Sequence, residues 1–185
     1  MLILAQPIRI NPAYLLITVV VVVASWLLHE GAHYLAGIAL GYPMAMTLNT
    51  AYPVSGSYNS SAHEQWISAA GPLFTLLSAI LVFVLMGKGR RPLLYPVLFT
   101  AFYMRLLAGI ISLFNPNDEA RISSWLGLGR FTLPLLVVAI LGWLLYKRAS
   151  EQGVSRRVNW VTLLVVMVVA SAIVLSDQFF RLRLL

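Results

Sequence analysis

The stretch WLLHEGAHYLAG, Trp26 to Gly37, sets His29, Glu30 and His33 inside one of the most apolar runs of the chain. Residues four apart share one face of an α-helix, so both imidazoles can reach one ion at about 2.0–2.1 Å, the distance zinc takes to nitrogen. Glu30 stands beside them, where a carboxylate can take a proton from an attacking water. This pattern suits hydrolysis: the ion acidifies water and polarises a carbonyl, while the carboxylate carries the proton to the departing amine. An ionisable group inside a membrane span costs roughly 2.5–3.5 kcal/mol, which points to function before packing. A competing non-enzymatic reading, a membrane metalloprotein or metal transporter-like bundle using the same histidines, leaves Glu30 without a task.

Catalytic zinc keeps three protein ligands and one open position. The chain has no cysteine, so the third ligand must come from His63, Glu64, Asp118, Glu119, Glu151 or Asp177. Glu151 lies in a basic loop, and Asp177 can pair with Arg181 at helical spacing. Asp118 ends the run Asn115-Pro116-Asn117-Asp118 just after a full span, where a broken helix can aim side chains into a cavity. Capping a short helix from Glu119 to Leu126 accounts for Asp118 equally well. Asn115 or Asn117 can donate a hydrogen bond to substrate or to Asp118, or simply cap the turn.

Positioning these residues falls to membrane helices. Of 185 residues, 60% are hydrophobic and 10% charged, which excludes an ordinary soluble domain. Hydrophobic runs of roughly 20 residues cross a bilayer as helices, because helices satisfy their own backbone hydrogen bonds in lipid. The expectation is an all-α polytopic membrane protein with about five transmembrane helices and a short β-hairpin after the first. The spans are expected over 13–40, 65–86, 92–114, 131–146 and 158–175. A polar loop over 42–64 carries the hairpin around 44–58, and Trp66, Trp125, Trp143 and Trp160 form an interfacial belt. One domain covers 1–185, with a motif-bearing core over 13–127, accessory spans over 130–178 and no soluble regulatory domain.

The net charge is +7, but the basic residues sit in short connections, which argues for lipid contacts and topology signals over nucleic acid. Arg9, Lys88, Arg90, Arg91, Lys147, Arg148, Arg156 and Arg157 fall on one side, against Arg121, Arg130, Arg181 and Arg183 on the other. The positive-inside rule makes the N terminus cytoplasmic. The expected setting is the cell membrane of a prokaryote.

In order along the chain, HEGAH in the first span, SAAGPLFTLL (Ser68 to Leu77) in the second and NPND at the end of the third resemble the site-2 protease family of intramembrane zinc metalloproteases. The resemblance covers about residues 20–125. It implies His29 and His33 as zinc ligands, Glu30 as catalytic base and Asp118 as third ligand, with transmembrane proteins as substrates. Asp118 is followed by Glu119 where the family has Asp-Gly, which makes Glu119 the alternative ligand.

Three further readings complete the site. The alternating stretch Met44 to Asn49, with Thr47 and Asn49, can pair with an extended substrate by strand addition. Pro72, with Ala69, Ala70 and Gly71 before it, reads as part of a first helical turn that allows close packing against a neighbouring helix. Arg105, near the middle of the third span, is expected to face the bundle interior and meet a carboxylate or carbonyls there, with stabilisation of a tetrahedral oxyanion as the alternative role.

Overall fold

A computed structural model describes Ile8, residues 10–89 and residues 91–185; Arg9 and Arg90, both in the topology count, lie outside the described residues. The chain is an all-α polytopic membrane protein with a single small sheet among the described residues. Its helices are α1 (Pro12–Ala39), α2 (Ser61–Gly87), α3 (Tyr95–Ile111), α4 (Asp118–Trp125), α5 (Thr132–Glu151) and α6 (Arg156–Phe180). All except α4 are long and apolar enough to cross a membrane, α3 together with the 3₁₀ turn Pro92–Leu94 that opens it.

Local sequence accounts for the ends of these helices. Asn11 caps α1 by accepting from the Tyr14 N–H at 2.8 Å, and Pro12 fills the first helical position, where no donor is lost. Gly41 then takes φ +85°, and Pro43 follows, so the chain leaves the helix and enters the hairpin. Ser155 caps α6 in the same way as Asn11 caps α1, with Val158 N–H as donor.

The second span starts earlier than its hydropathy suggests. Ser61 opens α2, so Pro72 lies well inside the helix and not in its first turn. There it withholds the N–H that the Ser68 carbonyl would otherwise receive. The bundle supplies the tertiary contacts that keep the helix continuous.

Strands β1 (Met44–Met46) and β2 (Ala51–Pro53) pair antiparallel, with Met44 opposite Pro53, Ala45 opposite Tyr52 and Met46 opposite Ala51. The closing bond runs from Thr47 N–H to Thr50 C=O at 2.8 Å. Beneath the hairpin, Tyr42, Met44 and Ile67 form a small buried cluster joining it to α2.

The spans alternate in direction, which gives the bundle two dissimilar ends. At the end where α1 and α6 begin, Tyr14, Met86, Tyr95, Leu98, Leu141 and Leu144 make the larger apolar core. Further along, Val22, Trp26, Met104, Val166 and Ala170 join α1, α3 and α6. The opposite end carries the hairpin, the Asn115–Asp118 segment and α4. Trp66, Trp125, Trp143 and Trp160 are all exposed, as side chains turned toward surrounding lipid and its interface would be.

Candidate metal centre

His29 and His33 lie one turn apart near the hairpin end of α1, and both are buried. Their Nε2 atoms are 3.2 Å apart, and Asp118 Oδ2 lies 3.4 Å from each. Four ligands set tetrahedrally about an ion at about 2.05 Å stand about 3.3 Å from one another, so this triangle has the edges of one face of such a site. The three side chains can hold a metal ion.

Each ligand is oriented from behind. His33 Nδ1–H donates to the Ile67 carbonyl at 2.6 Å, which leaves Nε2 as the inward lone pair. The Thr75 hydroxyl donates to the Gly71 carbonyl at 3.1 Å, so its oxygen is free to accept from His29 Nδ1–H, also at 3.1 Å. Arg121 takes the other oxygen of Asp118 at 2.9 Å. Burial alone would raise the pKa of Asp118, but its contacts with both histidines outweigh burial and hold the carboxyl well below its usual range. It is a carboxylate at neutral pH, the form a ligand needs.

Gly71 is what lets α2 come this close. A Cβ there would fall 2.4 Å from His33 Nε2 and 2.7 Å from His29 Nε2, the two ligand atoms themselves. The Ala-Gly-Pro segment therefore does more than pack helices: its glycine makes room for the imidazoles, and the two histidines are anchored from residues 67, 71 and 75 on the same helix.

The neighbouring acid points elsewhere. Successive helical residues diverge by about 100°. Asp118 thus faces the histidines, while Glu119 turns to Arg105, whose Nη1 lies 3.1 and 3.3 Å from its two oxygens. Glu119 is thereby removed as a ligand of this triangle. Asn117, and not Asp118, occupies the cap position of α4, and its side-chain amide donates to the Ala108 carbonyl at 3.2 Å.

The remaining candidates are dispersed. His63 bonds the Tyr42 hydroxyl at 2.9 Å, and Glu151 pairs with Arg148. Asp177 does not reach for Arg181. It accepts from the Leu48 N–H at 3.0 Å and the Thr50 hydroxyl at 3.2 Å, fixing the hairpin turn to α6. Thr47 contributes its hydroxyl to the same turn, and Asn49 accepts from the Trp26 indole N–H at 2.7 Å.

A cavity of about 730 Å³ opens over the triangle. Glu30, Asn49, Ala51, Asn115, Asn117 and Arg121 are among its lining residues; Thr47 is not. Val174 and Gln178 of α6 also reach it, a contribution for which the sequence of that span carries no motif. Asn115 and Pro116, both exposed, also line it.

The hairpin presents one free edge to this cavity. Met46 donates its N–H to Leu185 C=O at 3.1 Å and accepts from Leu184 N–H at 2.8 Å, so the outer edge of β1 is already paired. Residues opposite one another in an antiparallel ladder turn their main-chain groups either toward each other or both outward. Since Met46 turns outward, so does Ala51, toward the cavity that Ala51 lines. No protein-family model, curated protein or solved structure matches the chain, so the chemistry of the site rests on its own geometry.

Proposed function

We propose that the chain is an intramembrane zinc endopeptidase that cleaves transmembrane or membrane-proximal segments of other membrane proteins, in the manner of the site-2 proteases its motifs resemble. The observation that carries this reading is the triangle of His29, His33 and Asp118 beside a buried glutamate on a cavity wall. Two imidazoles and one carboxylate, with a face left open, suit a catalytic zinc site. Bound there, zinc would supply an acidified water and a polarised carbonyl.

The residues of the chain do the rest. Glu30 takes a proton from the attacking water as its oxygen bonds to the carbonyl carbon, and returns that proton to the amide nitrogen as the C–N bond breaks. Asp118, fixed by Arg121, and the histidines, fixed by Ile67 and Thr75, keep the ligand face from shifting during the reaction. A helical substrate hides its carbonyls in its own hydrogen bonds, so it must be extended before cleavage. The outward N–H and C=O of Ala51 supply a place for that extended strand. The expected pairing thus moves from Met44–Asn49 to the opposite edge of the hairpin.

The basic turns lie at the bundle end remote from the site, with Lys88, Arg91, Lys147, Arg148, Arg156 and Arg157 among them. That asymmetry favours a cytoplasmic N terminus and a site mouth toward the opposite face.

The test uses purified, zinc-loaded protein in bilayers with a transmembrane model substrate. Glu30→Gln is expected to keep its zinc and lose cleavage by about 10²–10⁴-fold. Equal cleavage by the two proteins would remove Glu30 as the base, and no cleavage by the zinc-loaded wild type would leave a metal-holding membrane protein without this activity.

A further inference from the structure

Arg105 is a charged side chain in the third span, 6% exposed, lining the same cavity as the triangle. Its Nη1 is occupied by Glu119 and lies 3.7 Å from Asp118 Oδ2. Its Nη2 lies 3.4 Å from His29 Nε2, and its Nε has no partner. His29 Nε2 is also one of the three atoms of the ligand triangle. One lone pair cannot serve both an ion and an N–H. An ion held there would take that lone pair, and Arg105 Nη2 would lose its acceptor and be left a buried donor beside the triangle, on the wall of the same cavity.

A buried donor without a partner is costly, and a guanidinium offers its donors in a fixed fork. The group that arrives beside it in the proposed reaction is the scissile carbonyl, whose oxygen gains negative charge as water attacks. We infer that Arg105 is a further catalytic residue, donating from Nη2 to that oxygen, and that Glu119 is its positioning residue. This rests on the protease reading above. The carbonyl π pair moves onto oxygen as the new C–O bond forms, and it returns as the C–N bond breaks. Arg105 gives up no proton in either step.

Glu119 has a second effect. A guanidinium close to a dication would repel it, and the buried carboxylate at 3.1 Å cancels that charge. The acid that follows Asp118 is therefore tied to the presence of Arg105, and both would be superfluous to a site that only held metal.

The experiment compares wild type, Arg105→Lys and the double variant Arg105→Gln/Glu119→Gln, the last chosen because it leaves no orphaned buried charge. Measured for each are zinc per chain, kcat and KM for the model substrate, and affinity for a phosphinic peptide, which imitates the tetrahedral state, beside a simple hydroxamate. In the double variant we expect stoichiometric zinc, KM within about twofold and kcat lower by about 10²–10³. Phosphinic peptide affinity should fall by a comparable factor, while hydroxamate affinity holds. Arg105→Lys should recover part of kcat, since it restores charge without the fork. Undiminished kcat and phosphinic affinity in a zinc-loaded double variant would overturn the role of Arg105 and leave the protease reading intact. Loss of zinc or of folded protein in both variants would also overturn it, making the pair structural. A zinc-loaded wild type that neither cleaves nor binds the phosphinic peptide would overturn the protease reading itself.

Discussion

The two ends of the bundle bury polar groups in contrasting ways. Where α1 and α6 begin, the buried tyrosines pair with neutral groups: the Tyr14 hydroxyl meets Thr162 Oγ1 at 2.7 Å, and the Tyr95 hydroxyl donates to Asn159. Thr162 also donates to the Val158 carbonyl, so Tyr14 donates in the first pair and each oxygen has a defined role. At the hairpin end ionisable groups are buried beside neutral ones such as Ser112 and Ser123. His29, Glu30, His33, Arg105 and Glu119 lie together, and Asp118 completes the group. Neutral pairs join helices cheaply in lipid, at roughly 1 kcal/mol each. A buried ion pair seldom stabilises more than apolar packing would, and removing one partner costs about 3–5 kcal/mol. One end is built for cohesion, and the other carries charges that cohesion does not require.

This contrast can be broken most severely at Gly71. Gly71→Ala puts a methyl group into the ligand atoms, so zinc content is expected to fall to background and cleavage with it, while helix content by circular dichroism stays near that of wild type. Retained zinc in that variant would mean that α2 can withdraw from the histidines. A smaller effect is expected at the cavity edge. Ala51→Pro removes one outward N–H without touching the β1–β2 bonds, and should raise KM by about tenfold, equivalent to one hydrogen bond of about 1.4 kcal/mol, with zinc unchanged. An unaltered KM would remove the strand-pairing role. The smallest effect belongs to the other end. Tyr14→Phe should lower stability by about 1 kcal/mol in a denaturation series and leave zinc content and kcat as they were. A change in kcat there would blur the division between the ends.

Much of the bundle is legible in local sequence. Asn11-Pro12 and Gly41-Tyr42-Pro43 bracket the first helix, and the polar loop carries its hairpin at 44–53, because caps, turns and hydropathy act over a few residues. His29, Glu30 and His33 are legible for the same reason: helical spacing alone sets them together. The choice between Asp118 and Glu119 is not. Both occupy the first turn of one short helix, and which one meets the histidines depends on how that helix rests on α2 and on Arg105 from α3. The role of Gly71 is hidden similarly, since it exists only where two helices approach. Asp177 is the clearest case. Its local partner would be Arg181, yet the hairpin, 129 residues away from it, offers an N–H and a hydroxyl together. Arg181 instead ends α6 in a left-handed conformation, with φ 44°.

The claim on which everything else depends is that Asp118 closes the site. Zinc per chain, measured by elemental analysis of purified wild type and Asp118→Ala after dialysis against a mild chelator, tests it most directly. One zinc in the wild type and close to none in Asp118→Ala is the expected result. A full equivalent of zinc retained by Asp118→Ala, or none in the wild type after loading, would contradict it.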